Sequence, residues 1–368
     1  MEINEKLCLL KLNAGSLYDD NTWMINVLNS QKKASVFFEN DLRNFIENDD
    51  ILEKNKKIID DAKKFDAEQE LNNCEKNGIC VITYLDEDYP DSLRDIPNPP
   101  LALYIKGNFC KSLSISIVGT RHPTEYGLKN ASVFAYQLAS AGIVITSGLA
   151  RGIDTVSHKN ALKAKGKTVA VIGSGLDRIY PPENKDLTSD IVLNGGSVLS
   201  EYPLGTSPLK FNFPKRNRII SALSFATLVI EGDYNSGSLI TARYAIEQGR
   251  DVMAVPGRID SRLSNGPNKL IKDGAYPITN VMDIISLIPF SEIQRMNIKN
   301  IDIVEEKKLD VSDRAKEIYE LLKVRNALTP DEISIMLKID ISELFNYIFE
   351  LESLNAVVLL AGKYKINY

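Results

Sequence analysis

The sequence predicts an α/β fold: a doubly wound parallel sheet in the middle of the chain, a small helical domain before it and a winged-helix domain after it. Three observations carry this expectation. Short apolar runs alternate with helical patterns through the middle of the chain. The ends of those runs are rich in Gly and Ser. The final stretch holds three helical patterns followed by a hairpin pattern. Parallel strands need crossover connections and helices over both faces, so strand–helix alternation reads as a parallel sheet.

Taken in order, residues 1–75 are helical and charge-dense, as in Asp41 to Lys64, and form the N-terminal helical domain. Residues 76–111, with Val81-Ile82-Thr83 and a run punctuated by Pro97, Pro99 and Pro100, read as a lead-in. In residues 112–289 the first strand is Ser114 to Val118 and the first helix pattern runs from Tyr126 to Ser140. Further strands are expected at Ile143 to Thr146, Thr168 to Ile172, Ser197 to Leu199, Ala226 to Ile230 and Asp251 to Val255. After Pro289 the sequence turns polar and uneven, and residues 290–311 read as a linker. In residues 312–368, Ile318, Leu321 and Leu322 space one helix, and Thr329-Pro330-Asp331-Glu332 opens a second with a cap-like start. Ile341 to Leu354 makes a third, and Val357 to Leu360, Gly362 and Tyr364 to Ile366 complete a winged-helix plan.

At 368 residues, two or three domains are expected, and 44% hydrophobic with 25% charged residues matches soluble globular protein. No apolar run approaches the roughly 18 residues that span a bilayer, and Met1 to Leu12 lacks the layout of a secretory leader, so a cytoplasmic protein is expected. Cys8, Cys74, Cys80 and Cys110 form no C-x-x-C pair, and the only histidines are His122 and His158. Free thiols and no metal site follow.

The net charge of −5 hides a division. Residues 1–111 hold 14 Lys+Arg against 21 Asp+Glu, a balance of −7, and residues 290–368 hold 11 against 14, a balance of −3. Residues 112–289 hold 19 against 14, a balance of +5, so only this block has an electrostatic reason to seek a polyanion. The acidic C-terminal module points to a protein contact rather than to DNA.

Between Tyr202 and Ile230 there is no Asp or Glu, yet the stretch carries Lys210, Lys215, Arg216 and Arg218 beside Phe211 and Phe213. Cations for phosphates and flat rings for bases are what a nucleic-acid groove needs. Cations at a helix start oppose its dipole unless an anion is bound nearby. Arg121 directly follows the first strand, where the ligand crevice of such a sheet opens. Gly119 and Thr120, Ser147 and Gly148, and Ser236, Gly237 and Ser238 lie at strand ends or helix starts, where small residues let backbone N–H groups approach a phosphate. The plainer readings stay open: Phe213 as a core anchor before a helix, and Ser236 to Ser238 as a simple cap.

Other patterns exclude chemistry. Gly166-Lys167-Thr168 imitates a P-loop, but Ala161 stands where its first glycine belongs and the motif precedes a strand. Gly173-Ser174-Gly175 lacks the third glycine of a dinucleotide fingerprint, with Arg178 in its place. Asp154 and His158 lie four apart on one helix as a base and its orienter would. No nucleophile accompanies them, and Asp154 is well placed to cap that helix, so a structural role is expected.

Eight segments, taken in order, closely resemble the DNA-processing protein DprA (Smf) family. They are Ile117-Val118-Gly119-Thr120-Arg121, Ser147 to Asp154, Tyr180-Pro181-Pro182-Glu183-Asn184, Ser200 to Pro203, Phe213 to Ile220, Ser236 to Ala242, Val255-Pro256-Gly257 and Leu270 to Ala275. The resemblance implies an extended Rossmann-like domain that binds single-stranded DNA, dimerises and helps load the recombinase RecA in natural transformation. It implies that Arg121, Lys210, Lys215, Arg216 and Arg218 are phosphate partners, that Phe213 is a stacking face, and that Asn217 of the same motif lies with them. It also places a sterile-alpha-motif-like domain at residues 1–75, although no Gly-x-Gly helix-hairpin-helix signature is present there. No catalytic residue and no cofactor are expected. The rival reading is a nucleoside monophosphate phosphoribohydrolase of the lysine-decarboxylase-like group, whose Pro-Gly-Gly-x-Gly-Thr loop is absent from Glu231 to Gly237.

Overall fold

The computed structural model describes residues 3–39, 42–46, 49–110, 112–296, 311–325, 327–354, 356–360 and 362–366. They fall into two compact units, Met1–Ile301 and Asp302–Tyr368. In the first unit nine strands build one sheet: β1 (Ile79–Thr83), β2 (Ala102–Gly107), β3 (Ser114–Val118), β4 (Val144–Ser147), β5 (Thr168–Val171), β6 (Ser197–Ser200), β7 (Ala226–Val229), β8 (Asp251–Ala254) and β9 (Tyr276–Pro277). Their order is β1-β2-β6-β5-β4-β3-β7-β8-β9. All pairs from β6 to β9 are parallel, while β1–β2 and β2–β6 are antiparallel.

The period of two along each strand explains why the middle of the chain reads as apolar runs. On β3, Ile115 and Ile117 enter a core with Phe134, Leu138 and Leu228, whereas Val118 joins the opposite core with Val171, Ile219 and Ile220. Burial on both faces is what a doubly wound sheet requires. The chain leaves β3 toward β4 on one side and later returns to β7 on the other, so the crevice beyond the carboxyl end of β3 lies at a topological switch point.

The expected lead-in is corrected: residues 76–111 supply β1 and β2, two strands of the sheet itself. The prolines before β2 flank the strand rather than interrupt it. The N-terminal helices also share a core with the sheet, since Leu9, Leu12, Met24 and Leu28 cluster with Leu103, Ile105 and Leu199. Asn13 ties the two together, donating from Nδ2 to the Glu201 carbonyl at 2.9 Å and accepting from the Ala102 N–H at 3.2 Å.

The expected linker begins with a helix, Phe290–Met296, and residues 297–310 lie outside the described residues. In the second unit the helices Asp313–Arg325, Pro330–Leu337 and Ile341–Ser353 enclose Ile318, Leu322, Ile333, Leu344 and Ile348. Three short strands, β10 (Ala327–Leu328), β11 (Val357–Leu360) and β12 (Lys363–Ile366), pair in the order β10-β12-β11. The helix at Pro330 starts with a capping box between Thr329 and Glu332, as its sequence suggests. Among the described residues, no helix is long and apolar enough to cross a membrane.

Candidate nucleic-acid interface

A cleft of about 400 Å³ opens at the switch point. Gly119, Thr120 and Arg121, which follow β3, form one wall. Lys210, Phe213, Arg216 and Asn217, at the start of the helix Asn212–Ala222, form the second. Ser236, Gly237 and Ser238, which open the helix Gly237–Glu247, form the third. The Asn217 side chain donates to the Gly237 carbonyl at 3.2 Å, joining the last two walls.

The cations of the acid-free segment divide sharply. Arg121 and Lys210 are exposed and have no acidic partner among the described residues. Arg218 is turned away from the cleft: its guanidinium grips the Glu201 carboxylate bidentately at 2.6 and 3.0 Å, with the two side chains only 5% and 3% exposed. Burial works against the Arg218 charge, and Glu201 overcomes that, holding its pKa above the ordinary arginine value. Arg218 is therefore a buried strut rather than the groove-lining phosphate partner the resemblance implies. Lys215 is also diverted. Its ammonium donates to the Leu17 carbonyl, and burial lowers its pKa.

Arg216 is the intermediate case. It is buried under the cleft floor, donates to the Val171 carbonyl, and leaves its buried Nε without a partner. Burial, partly offset by Asp154, pulls its pKa to about 10, which still leaves it charged at neutral pH. A Cβ on Gly148 would stand 2.3 Å from the Arg216 guanidinium, so a larger residue there would displace that side chain.

Asp154 does not cap its own helix. Its carboxylate accepts from the Gly148 and Ala150 N–H groups at 3.1 and 3.4 Å and so pins the preceding loop. Burial pushes its pKa to about 6 against the pull of Arg216. His158 is fully buried, shares a 2.7 Å hydrogen bond with the Thr168 hydroxyl, and is held to about 3 by burial and by Arg216. Neither residue is arranged as a base with a nucleophile.

Several of the expected cradle positions are already engaged. The Gly148 N–H goes to Asp154, and Ser147 is buried with its hydroxyl donating to the Ile117 carbonyl at 2.6 Å. Thr120 lines the cleft, but its N–H goes to the Glu231 carbonyl at 2.8 Å.

Phe213 is half-buried, with the Arg121 guanidinium 5.6 Å from its ring centroid, inside cation–π range. Tyr180 also meets it, ring to ring at 5.5 Å and tilted by 48°. The expectation did not single out Tyr180 beside this cleft, because a lone tyrosine next to two prolines carries neither charge nor periodicity. Phe211, 55% exposed, is braced edge-on by Tyr18 at 5.1 Å.

Residues 80–289 match the family model described as DNA recombination-mediator protein A. The chain is 45% identical over 206 residues to Protein Smf of Escherichia coli, covering 55% of each chain. It is 44% identical over 222 residues to the DNA processing protein DprA of Bacillus subtilis, covering 60% of this chain and 74% of that one. The match thus spans about half the length of the Escherichia coli relative. Among solved structures, DNA processing protein A of Streptococcus pneumoniae superposes with a TM-score of 0.59 at 40% identity, covering 64% of this chain and 82% of that one. DNA processing protein A of Helicobacter pylori, studied for its single-stranded DNA binding mode, gives 0.52 at 32% identity, covering 56% and 94%.

Proposed function

The chain belongs to the DNA recombination-mediator protein A family, and on that premise we propose that its cleft binds single-stranded DNA without sequence preference. The observation that carries this reading is the convergence of Arg121 and Lys210, free of acidic partners among the described residues, on the half-buried Phe213 at the switch-point cleft. Cations meet phosphates, which carry no sequence information, and a ring accepts the face of any base. A duplex keeps its base faces stacked inside and cannot offer them to Phe213.

Within this reading Arg216 acts from beneath the floor as a fixed positive charge, and Gly119, Thr120 and Ser236 to Ser238 give small-residue walls against the phosphates. Asn217 positions the cleft walls. Lys215 and Arg218 hold the frame. The protein is a recombination mediator rather than an enzyme. It shields an incoming strand and helps load RecA in natural transformation, as a cytoplasmic homodimer. The phosphoribohydrolase reading is not favoured: the loop it needs is absent from Glu231 to Gly237, and Glu231 itself is buried, its carboxylate accepting from the Thr124 N–H and hydroxyl at 2.9 and 2.5 Å.

The C-terminal unit is, in the same proposal, a winged helix that meets protein. Its third helix carries Ile341, Phe345 and Phe349 at every fourth position, all exposed, Phe349 by 70%, where a DNA-reading helix would present cations. A gel shift with single strands and duplexes of equal length tests the central proposal. Preference for the single strand is expected, and equal or stronger duplex binding would overturn it.

A further inference from the structure

Beyond Phe213 the ring contacts continue. Tyr180 stands next to Phe213, and the Arg151 guanidinium lies 5.8 Å from the Tyr180 ring centroid. Arg121, Phe213, Tyr180 and Arg151 thus form a row in which cations and rings meet pairwise, and all four line one small pocket that shares Arg121 and Phe213 with the cleft. The loop that carries Tyr180 is fixed by hydrogen bonds. Asn184 donates from its amide to the Leu149 carbonyl and the Thr155 hydroxyl, both at 2.8 Å, fixing the loop that bears Tyr180 against the loop after β4. Arg151 and Glu183 form an ion pair through two contacts, Nε to Oε1 and Nη2 to Oε2, the second at 3.1 Å. Both side chains are about half exposed, 45% and 52%.

From this geometry we infer that Tyr180 and Arg151 form a second subsite for single-stranded DNA, one nucleotide position or more beyond Phe213, and that Glu183 restrains it. The inference rests on the proposed binding of single strands at the main cleft. Tyr180 offers a ring to the next base, and Arg151 offers a charge to the next phosphate. Glu183 holds Arg151 in place beside the ring while competing with the phosphate for it. An exposed ion pair of this kind is worth little to the fold, so Glu183 can be changed without unfolding the protein. The subsite has no role for a strand too short to reach past Phe213.

The test uses the full chain and dT strands of about 4 and about 16 nucleotides, the range over which single-strand sites vary. Glu183→Gln frees Arg151. It should tighten binding of the long strand and steepen its log–log salt dependence by about 0.7, the contribution of one phosphate contact on a single strand, with the short strand unaffected. Tyr180→Ala should weaken the long strand roughly tenfold and spare the short one, whereas Phe213→Ala should weaken both. If Glu183→Gln leaves the long strand unchanged or weakens it, the restraint is wrong. If Tyr180→Ala weakens both lengths equally, Tyr180 only buttresses Phe213 and the second subsite is wrong. If Arg121→Ala leaves the short strand fully bound, the main cleft itself is misplaced, which is a separate failure from that of the subsite.

Discussion

Lys210 and Arg218 lie eight residues apart in the same acid-free segment, yet they have opposite surroundings. Lys210 is exposed at the cleft and meets no acid among the described residues, whereas Arg218 is sealed against Glu201. The same contrast separates Arg121, resting on Phe213, from Lys215, whose ammonium is spent on the Leu17 carbonyl. A run of like charges in sequence therefore states how much charge a segment carries, not how much of it a ligand can reach. Folding has sorted this segment into cations that a ligand can reach and cations that brace.

The largest expected effect breaks the bracing half. Glu201→Gln leaves the buried Arg218 charge without its counter-ion, and removing one partner of such a pair costs about 3 to 5 kcal/mol. Urea unfolding should report a loss of that size. Replacing both partners, as Arg218→Met with Glu201→Leu, should recover much of it. If Glu201→Gln unfolds at the wild-type midpoint but tightens DNA binding, Arg218 belongs with the binding cations after all.

A smaller effect sharpens the contrast from beneath the cleft. Asp154, at about 6, is ionised at neutral pH and offsets Arg216; as pH falls through that value it takes a proton and the floor gains one positive charge. His158 stays neutral across this window because it is held to about 3. Binding of a single strand should therefore tighten several-fold between about pH 7 and pH 5. Asp154→Asn, whose amide oxygen can still accept from Gly148 and Ala150, should bind at pH 7 as the wild type does at pH 5. His122 also lines the cleft, so the comparison belongs in a His122→Gln background. A pH dependence that survives Asp154→Asn there would assign the charge elsewhere.

The sheet was legible because each of its central strands is buried on both faces, which forces apolar residues into nearly continuous runs: β3 to β8 lie where those runs lie. β2 was hidden behind Pro99 and Pro100, and β9, at two residues, is too short to leave a pattern. At the site, the residue types and the wall positions were readable, since Gly119 to Arg121, Lys210, Phe213 and Ser236 to Ser238 do meet around one cleft. Burial was not. Glu201 sits just outside the acid-free window, directly after β6, and only the sheet order brings it under Arg218. Tyr180 and Glu183 were equally hidden, because their partners Phe213 and Arg151 are distant in sequence and contribute no local periodicity.

The most direct measurement is the salt dependence of single-strand affinity for wild type and for Arg121→Ala with Lys210→Ala, followed by anisotropy of a labelled dT strand. Each phosphate contact on a single strand contributes about 0.7 to the slope of log affinity against log salt, so losing both cations should flatten it by about 1.4. Thermal stability should hold, since both side chains are exposed and unpaired by acids among the described residues. A slope unchanged in the double variant, with the strand still bound, would contradict the assignment of Arg121 and Lys210 as the cations that bind.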